Sequence, residues 1–190
     1  ATYMGLSDID KTIESYQKAL QLNPSHIDAY NNIGIALYDQ GKFSEAAESY
    51  QKALEIEPDF ADAHFNLGNA LKQAGKLKQA IESYKASLEI NPNDADVLFN
   101  YGNALKSYGE FEQAIEVYAK VLKINPDFSD VQTNIDIAVT EKSELDQFFQ
   151  KSVKKDSLIP EAIQKIRLRA IWFYDKGSTE KALEKLRNAI

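Results

Sequence analysis

Cysteine is absent from the 190 residues of this chain, and histidine occurs only twice. Disulfides, thiolate nucleophiles and sulfur-ligated metals are therefore excluded, although this leaves the compartment undecided. His26 lies in the turn after a proline and His64 at a packing position of a predicted helix. They share no motif, which speaks against a metal pair or a catalytic dyad. No P-loop, no dinucleotide-type glycine motif and no Gly-x-Ser-x-Gly occurs. The expectation is a non-enzyme without cofactor or metal. A run of about 18 apolar residues, the length a membrane span needs, is also missing. No basic start leads into an apolar stretch with a small-residue cleavage site. Neither membrane insertion nor secretion is expected, and a cytoplasmic location is the reading that remains. Positive charge is in short supply: 22 Lys and Arg face 29 Asp and Glu, for a net charge of −7. The first 128 residues net −8 and the last 62 net +1. A nucleic-acid binder normally needs a basic face to displace phosphate counterions, so nucleic acid is not an expected partner.

What is present is a period. The five prolines, Pro24, Pro58, Pro92, Pro126 and Pro160, stand 34 residues apart at every step. Proline inside a helix loses a hydrogen bond and clashes, so these residues punctuate equal units of a repeat array. The text between them recurs. Ser15-Tyr16-Gln17-Lys18-Ala19-Leu20 returns as Ser49-Tyr50-Gln51-Lys52-Ala53-Leu54, and Asn66-Leu67-Gly68-Asn69-Ala70-Leu71-Lys72 returns with one change from Asn100 to Lys106. Each unit reads as two helices. The first spans roughly 28–39, 62–73 and 96–107, and Gly41, Gly75 and Gly109 follow it where a left-handed residue would end it. The second carries the apolar stripe Phe43, Ala46, Ala47, Tyr50, Ala53 and Leu54, repeated one and two periods later. Capping boxes are expected at Ser25-x-x-Asp28, Asp59-x-x-Asp62, Asn93-x-x-Asp96 and Asp127-x-x-Asp130. Gly34, Gly68 and Gly102 fall inside the first helices, where glycine costs ~1 kcal/mol against alanine. With Ala46, Ala80 and Ala114 opposite, they predict backbone-to-backbone packing within each unit.

These residues resemble the tetratricopeptide repeat. Its pattern of a large residue, Leu, Gly, a large residue, Ala, an aromatic, Ala and Pro is met by Tyr30, Ile33, Gly34, Leu37, Ala46, Tyr50, Ala53 and Pro58. His64, Leu67, Gly68, Leu71, Ala80, Tyr84, Ser87 and Pro92 meet it again, as do Leu98, Tyr101, Gly102, Leu105, Ala114, Tyr118, Val121 and Pro126. The resemblance implies an all-α, right-handed superhelical solenoid of antiparallel helix pairs. A truncated first repeat occupies 1–26, with its second helix over about 10–22, and full repeats occupy 27–60, 61–94 and 95–128. Residues 129–190 depart from the pattern, with Asp136 for glycine and Phe148 for alanine, and read as a degenerate fifth repeat and an incomplete sixth that cap the stack. Helices are expected there near 129–142, 144–155, 160–175 and 179–190.

The same resemblance implies that the first helices line a concave groove that binds an extended peptide or a partner helix. Its groove positions fall on Asp62, Phe65, Asn66, Asn69 and Lys72, then on Asp96, Phe99, Asn100, Asn103 and Lys106. One amide recurs in every unit, as Asn32, Asn66, Asn100 and Asn134. Such a row can pair with peptide N–H and C=O groups whatever the side chains. It is similar to the asparagine ladder in the repeats of O-linked N-acetylglucosamine transferases. Duplication of one ancestral unit would preserve the row equally well. The aspartates 28, 62, 96 and 130 either serve helix starts or attract basic peptides, and the two roles are compatible. Phe65 and Phe99 either form pockets or pack on the next unit. The cationic clamp with which some relatives hold acidic chaperone tails is missing, because aspartate occupies its first position throughout. Basic or neutral peptides are therefore the expected partners. Two alternatives stand beside this reading. The chain's limits fall inside repeats and its first residue is Ala1, which suits a substrate-recruiting arm of a larger transferase. A face of the first helix, Ile13, Tyr16 and Leu20, would suit a homo-oligomer through terminal helices. The cluster Lys165, Arg167 and Arg169 reads as a solvated helix face, with Ile163, Ile166, Ala170 and Phe173 on the buried side.

Overall fold

A computed structural model describes residues 3–152 and 168–173 of the chain. The helices are α1 (Tyr3–Leu22), α2 (Ile27–Asp39), α3 (Phe43–Ile56), α4 (Ala61–Gln73), α5 (Leu77–Ile90), α6 (Ala95–Tyr108), α7 (Phe111–Ile124) and α8 (Val131–Ser152). No strand occurs among the described residues. The chain forms two compact units, Ala1–Val131 and Gln132–Ile190. In the first, α2 pairs with α3, α4 with α5 and α6 with α7. The hairpins stack through α1 on α2, α3 on α4 and α5 on α6, giving a helical solenoid.

Each hairpin turns on a left-handed glycine. Gly41, Gly75 and Gly109 have φ of 76°, 76° and 84°. At the first of them the Gly41 N–H donates to Tyr38 O at 2.8 Å and the Lys42 N–H to Leu37 O at 2.9 Å. These two bonds satisfy carbonyls that the helix end would otherwise leave open. Between hairpins the chain turns on proline. His26 N–H donates to Asn23 O at 3.1 Å across Pro24, and Phe128 N–H to Asn125 O at 3.2 Å across Pro126. Proline fixes the backbone of the second turn residue as this geometry needs.

This turn overturns the expected capping boxes. The helices begin one residue later, with His26, Phe60 and Asp94 as N-caps. Of these three, Asp94 alone caps with its side chain, accepting from the N–H groups of Asp96 and Val97 at 3.0 Å. The Ser25 N–H is instead taken by Asn23 Oδ1 at 3.1 Å, and the Asp127 N–H by Asn125 Oδ1 at 3.2 Å. Asp28, Asp62 and Asp96 sit second in their helices, where a carboxylate still favours the dipole. Asp130 lies outside a helix with φ of 65°, so the row ends at Asp96.

The packing at the mid-helix glycines also differs from expectation. A Cβ on Gly34 would lie 2.5 Å from Cε1 of Tyr50, and one on Gly68 would lie 2.7 Å from Tyr84. The glycine thus makes room for a tyrosine ring of the second helix rather than for its backbone. Tyr50, Tyr84 and Tyr118 are 2%, 0% and 0% exposed. Burying such a ring is worth about 1.5–3 kcal/mol, more than the ~1 kcal/mol that glycine costs the helix. The bare helix face is therefore the better bargain. Ala46, Ala80 and Ala114 are fully buried as well.

A third difference concerns the hairpin turn itself. The helices expected at 129–142 and 144–155 are one helix, α8, through Ser152. In register with Gly41, Gly75 and Gly109 stands Ser143, and without a left-handed residue the helix runs on. The same holds at the other end. Ser7 occupies that register, and α1 begins at Tyr3 rather than near residue 10. Residues 168–173 are helical, with Ala170, Trp172 and Phe173 buried. The remainder of the helices expected over 160–175 and 179–190 lies outside the described residues, as do Lys165, Arg167, Ile163 and Ile166.

Alanine at either kind of glycine is expected to destabilise the protein, for separate reasons. Gly68→Ala meets a fully buried ring and costs about 1–3 kcal/mol despite alanine's better helix propensity. Gly41→Ala has nothing within 4 Å and costs about 1–2 kcal/mol through its positive φ alone. Urea unfolding of the two variants measures both, and a gain in stability at Gly68 would contradict the ring-on-glycine packing.

Candidate functional site

First helices of successive hairpins touch one another, α2 with α4 and α4 with α6. No comparable contact joins α3 to α5 or α5 to α7 among the described residues. Within the first unit the stack therefore closes up along its first helices, which form the inner wall.

The recurrent amides lie on that wall, half-buried. Asn66 Nδ2 donates to Asn31 Oδ1 of the preceding hairpin at 3.2 Å. Asn100 Nδ2 donates to its own helix at Asp96 O (3.0 Å), while its Oδ1 accepts from Lys72 Nζ at 3.0 Å. Asn32 is half-buried, and so is Asn134, which belongs to α8 in the second unit. Partial burial lowers the pKa of Lys72 by disfavouring its charged form. Lys106, one period on, is half-buried too, whereas Asp62 and Asp96 are exposed.

The second set of amides has a different partner. The Tyr84 hydroxyl donates to Asn69 Oδ1 at 2.7 Å, and the Tyr118 hydroxyl to Asn103 Oδ1 at 2.8 Å. The ring crosses the glycine one residue before the asparagine, so its hydroxyl emerges beside the amide on the inner wall. The hydropathy stripe treats these tyrosines as packing residues and misses their hydrogen bonds. Their recurrence as tyrosine rather than phenylalanine at 50, 84 and 118 was the available signal. In the first full hairpin Ile35 replaces the asparagine.

Phe65 lies 6.1 Å from Tyr84 between ring centroids, and Phe99 lies 6.2 Å from Tyr118. Phe99 also meets Phe128, past the end of its own hairpin, at 5.0 Å. Both phenylalanines remain half-exposed. His64 has a structural position: its Nε2 lies 2.8 Å from Pro58 O, and since a carbonyl only accepts, the imidazole donates. Among the described residues no group of three His, Cys, Asp or Glu side chains could hold a metal ion. No described helix is long and apolar enough to cross a membrane. Ile13, Tyr16 and Leu20 of α1 are half-buried, while Leu22 at its end is 90% exposed.

Two outcomes follow from the tyrosines. Burial raises the pKa of Tyr84, with a contribution from Tyr38. Burial also raises Tyr50, with Asp39 and Tyr38 adding to it. The folded chain then holds more protons than the unfolded chain above the ordinary tyrosine value of 10.0. Their contribution is intact below that value and is lost as pH climbs towards the raised ones. The urea midpoint should fall above about pH 10, with tyrosinate absorbance appearing together with unfolding; free titration of all ten tyrosines in the folded state would refute this. Separately, Tyr84→Phe should cost about 0.5–1.5 kcal/mol by stranding Asn69. Tyr50→Phe should cost less, because no described residue accepts from that hydroxyl, and chemical denaturation of the pair decides it.

Comparison with known proteins agrees with this architecture. A family model described as TPR repeat matches residues 2–41 and 36–75, and one described as Tetratricopeptide repeat matches 71–133. No curated protein matches the chain. Among solved structures, MamA is similar at 22% identity and a TM-score of 0.62, covering 96% of this chain and 87% of its own. YrrB, a TPR protein with an unusual peptide-binding site, is similar at 21% identity and a TM-score of 0.62, covering 94% of this chain and 92% of its own. The first TPR of Spaghetti (RPAP3), bound to the HSP90 peptide SRMEEVD, is similar at 19% identity and a TM-score of 0.59, covering 62% and 93%. At these identities the likeness is one of fold. The two family matches together run from residue 2 to residue 133, and on them the chain belongs to the tetratricopeptide repeat family.

Proposed function

We propose that the chain is a non-catalytic interaction scaffold that holds an extended peptide along the inner wall formed by α2, α4 and α6. The observation that carries this reading is the row of half-buried amides at Asn32, Asn66 and Asn100, one per hairpin and none in the core. An amide offers a donor and an acceptor at once, which matches a peptide backbone without reading its side chains. In this role the row acts as the asparagine ladder of the O-linked N-acetylglucosamine transferase repeats does. Phe65 and Phe99 supply half-exposed aromatic surface beside it. Two solved relatives of the same fold support a peptide ligand: YrrB has a peptide-binding site, and the Spaghetti repeat is bound to SRMEEVD. An acidic peptide of that kind is not the expected cargo here. Asp28, Asp62 and Asp96 stand exposed where a clamp for it needs cations, and Lys72 is engaged with Asn100. Neutral or basic peptides suit the wall better.

Replacing Asn66 and Asn100 together by alanine should weaken partner capture several-fold. Stability should stay within about 1 kcal/mol, since alanine's helix propensity offsets the lost amide bonds. A pull-down comparing the two forms by quantitative mass spectrometry reads this directly. Equal capture by both forms would remove the amide row from the mechanism, and tight binding of SRMEEVD would reverse the charge preference.

A further inference from the structure

We infer that the first full hairpin carries a subsite for one uncharged amide group of a bound peptide, seated between Tyr50 and Asn69. The inference rests on the groove reading above and gives that groove a point of selectivity. Three hairpins share the ring-on-glycine crossing, but the hydroxyls end differently. Tyr84 and Tyr118 donate to Asn69 and Asn103. At Tyr50 the corresponding residue is Ile35, which can accept nothing. Tyr50 is 2% exposed, and among the described residues none accepts from its hydroxyl. The hydroxyl keeps its contact with solvent at this point, so a group that accepts from it there gains a hydrogen bond without displacing an internal partner.

There is room for such a group. A recess of about 110 Å³ opens at this point, lined by Ile35, Tyr38, Tyr50, Asn66 and Asn69. One water needs about 10–15 Å³ on the same measure, so the recess admits a small organic group. Its polar atoms are complementary to an amide. Asn69 Oδ1 is occupied by the Tyr84 hydroxyl, which leaves the Asn69 Nδ2 hydrogens as donors. Asn66 Nδ2 is occupied by Asn31, which leaves Asn66 Oδ1 as an acceptor. A ligand carbonyl can thus accept from Tyr50 and Asn69 while the ligand N–H donates to Asn66. Ile35 and Tyr38 supply apolar wall for the adjoining carbon. A carboxylate is disfavoured, because it has no hydrogen to donate to Asn66 Oδ1 and would set a second acceptor against it. An aliphatic group would leave the hydroxyl stranded.

The test uses N-methylacetamide and acetate as separate probes, titrated into the isotope-labelled protein and followed by nuclear magnetic resonance. The side-chain amide signals of Asn66 and Asn69 should shift saturably with N-methylacetamide and not with acetate. Ile35→Asn hands Tyr50 the internal acceptor its sister hairpins possess, and should weaken the response about two- to tenfold. Tyr50→Phe, which removes the donor, should weaken it similarly, with circular dichroism confirming that both variants fold. No saturable response in the wild type, an equal response to acetate, or an undiminished response in Ile35→Asn would each overturn the subsite. The probe is not a peptide, so this outcome is independent of the pull-down. Capture that depends on the amide row without an N-methylacetamide site removes the subsite alone; an N-methylacetamide site without amide-dependent capture removes the groove reading alone.

Discussion

An aromatic ring laid across a helix that has no side chain beneath it holds each repeat together. Tyr50, Tyr84 and Tyr118 reach over Gly34, Gly68 and Gly102 so closely that a single methyl group would collide with the ring. The glycine weakens its own helix, and the ring repays that loss only because it is wholly shielded from water. The two residues therefore stand or fall together, 16 positions apart in every full hairpin. Other contacts adjust around the pair. Ser87, buried within α5, donates to Ala61 O at 3.0 Å and ties the second helix to the start of the first.

The crossing also decides what the inner wall offers. A phenylalanine would fill the same space and stop there. The tyrosine carries a hydroxyl through to the far side, where it fixes the rotamer of an asparagine and uses up that amide's oxygen. Packing and recognition thus share one side chain. The irregularity at Ile35 breaks the partnership in a single hairpin and leaves polar capacity unspent beside a recess. Asn66 and Asn100, by contrast, take partners from adjacent hairpins or their own helix, so their amides are oriented across the stack.

Much of the framework was legible in the residues because proline and glycine act locally. The 34-residue spacing of proline located the inter-unit turns, and the glycines 41, 75 and 109 located the hairpin turns. The N-caps fall one residue later than the capping pattern places them, because the backbone bond across each of the four described prolines outweighs that pattern. The mid-helix glycines face a partner other than the expected one for a related reason. Small residues facing each other in a repeat pattern suggest a close backbone approach, whereas a large ring one turn further on claims the space first. At the site, the residue positions came from family resemblance. The hydrogen bonds between Tyr84 and Asn69 and between Tyr118 and Asn103 did not, since they join residues 15 apart and depend on the crossing.

The serines at 7 and 143 bear on the mechanics of the array. Where glycine occupies that register the chain doubles back within a few residues; where serine does, it continues as one long helix, a strut. The strut at α8, with 22 residues, extends about 33 Å, roughly one and a half times the reach of either arm of a hairpin. The residue at one fixed place in the period thus marks whether the chain builds a compact brick or a lever.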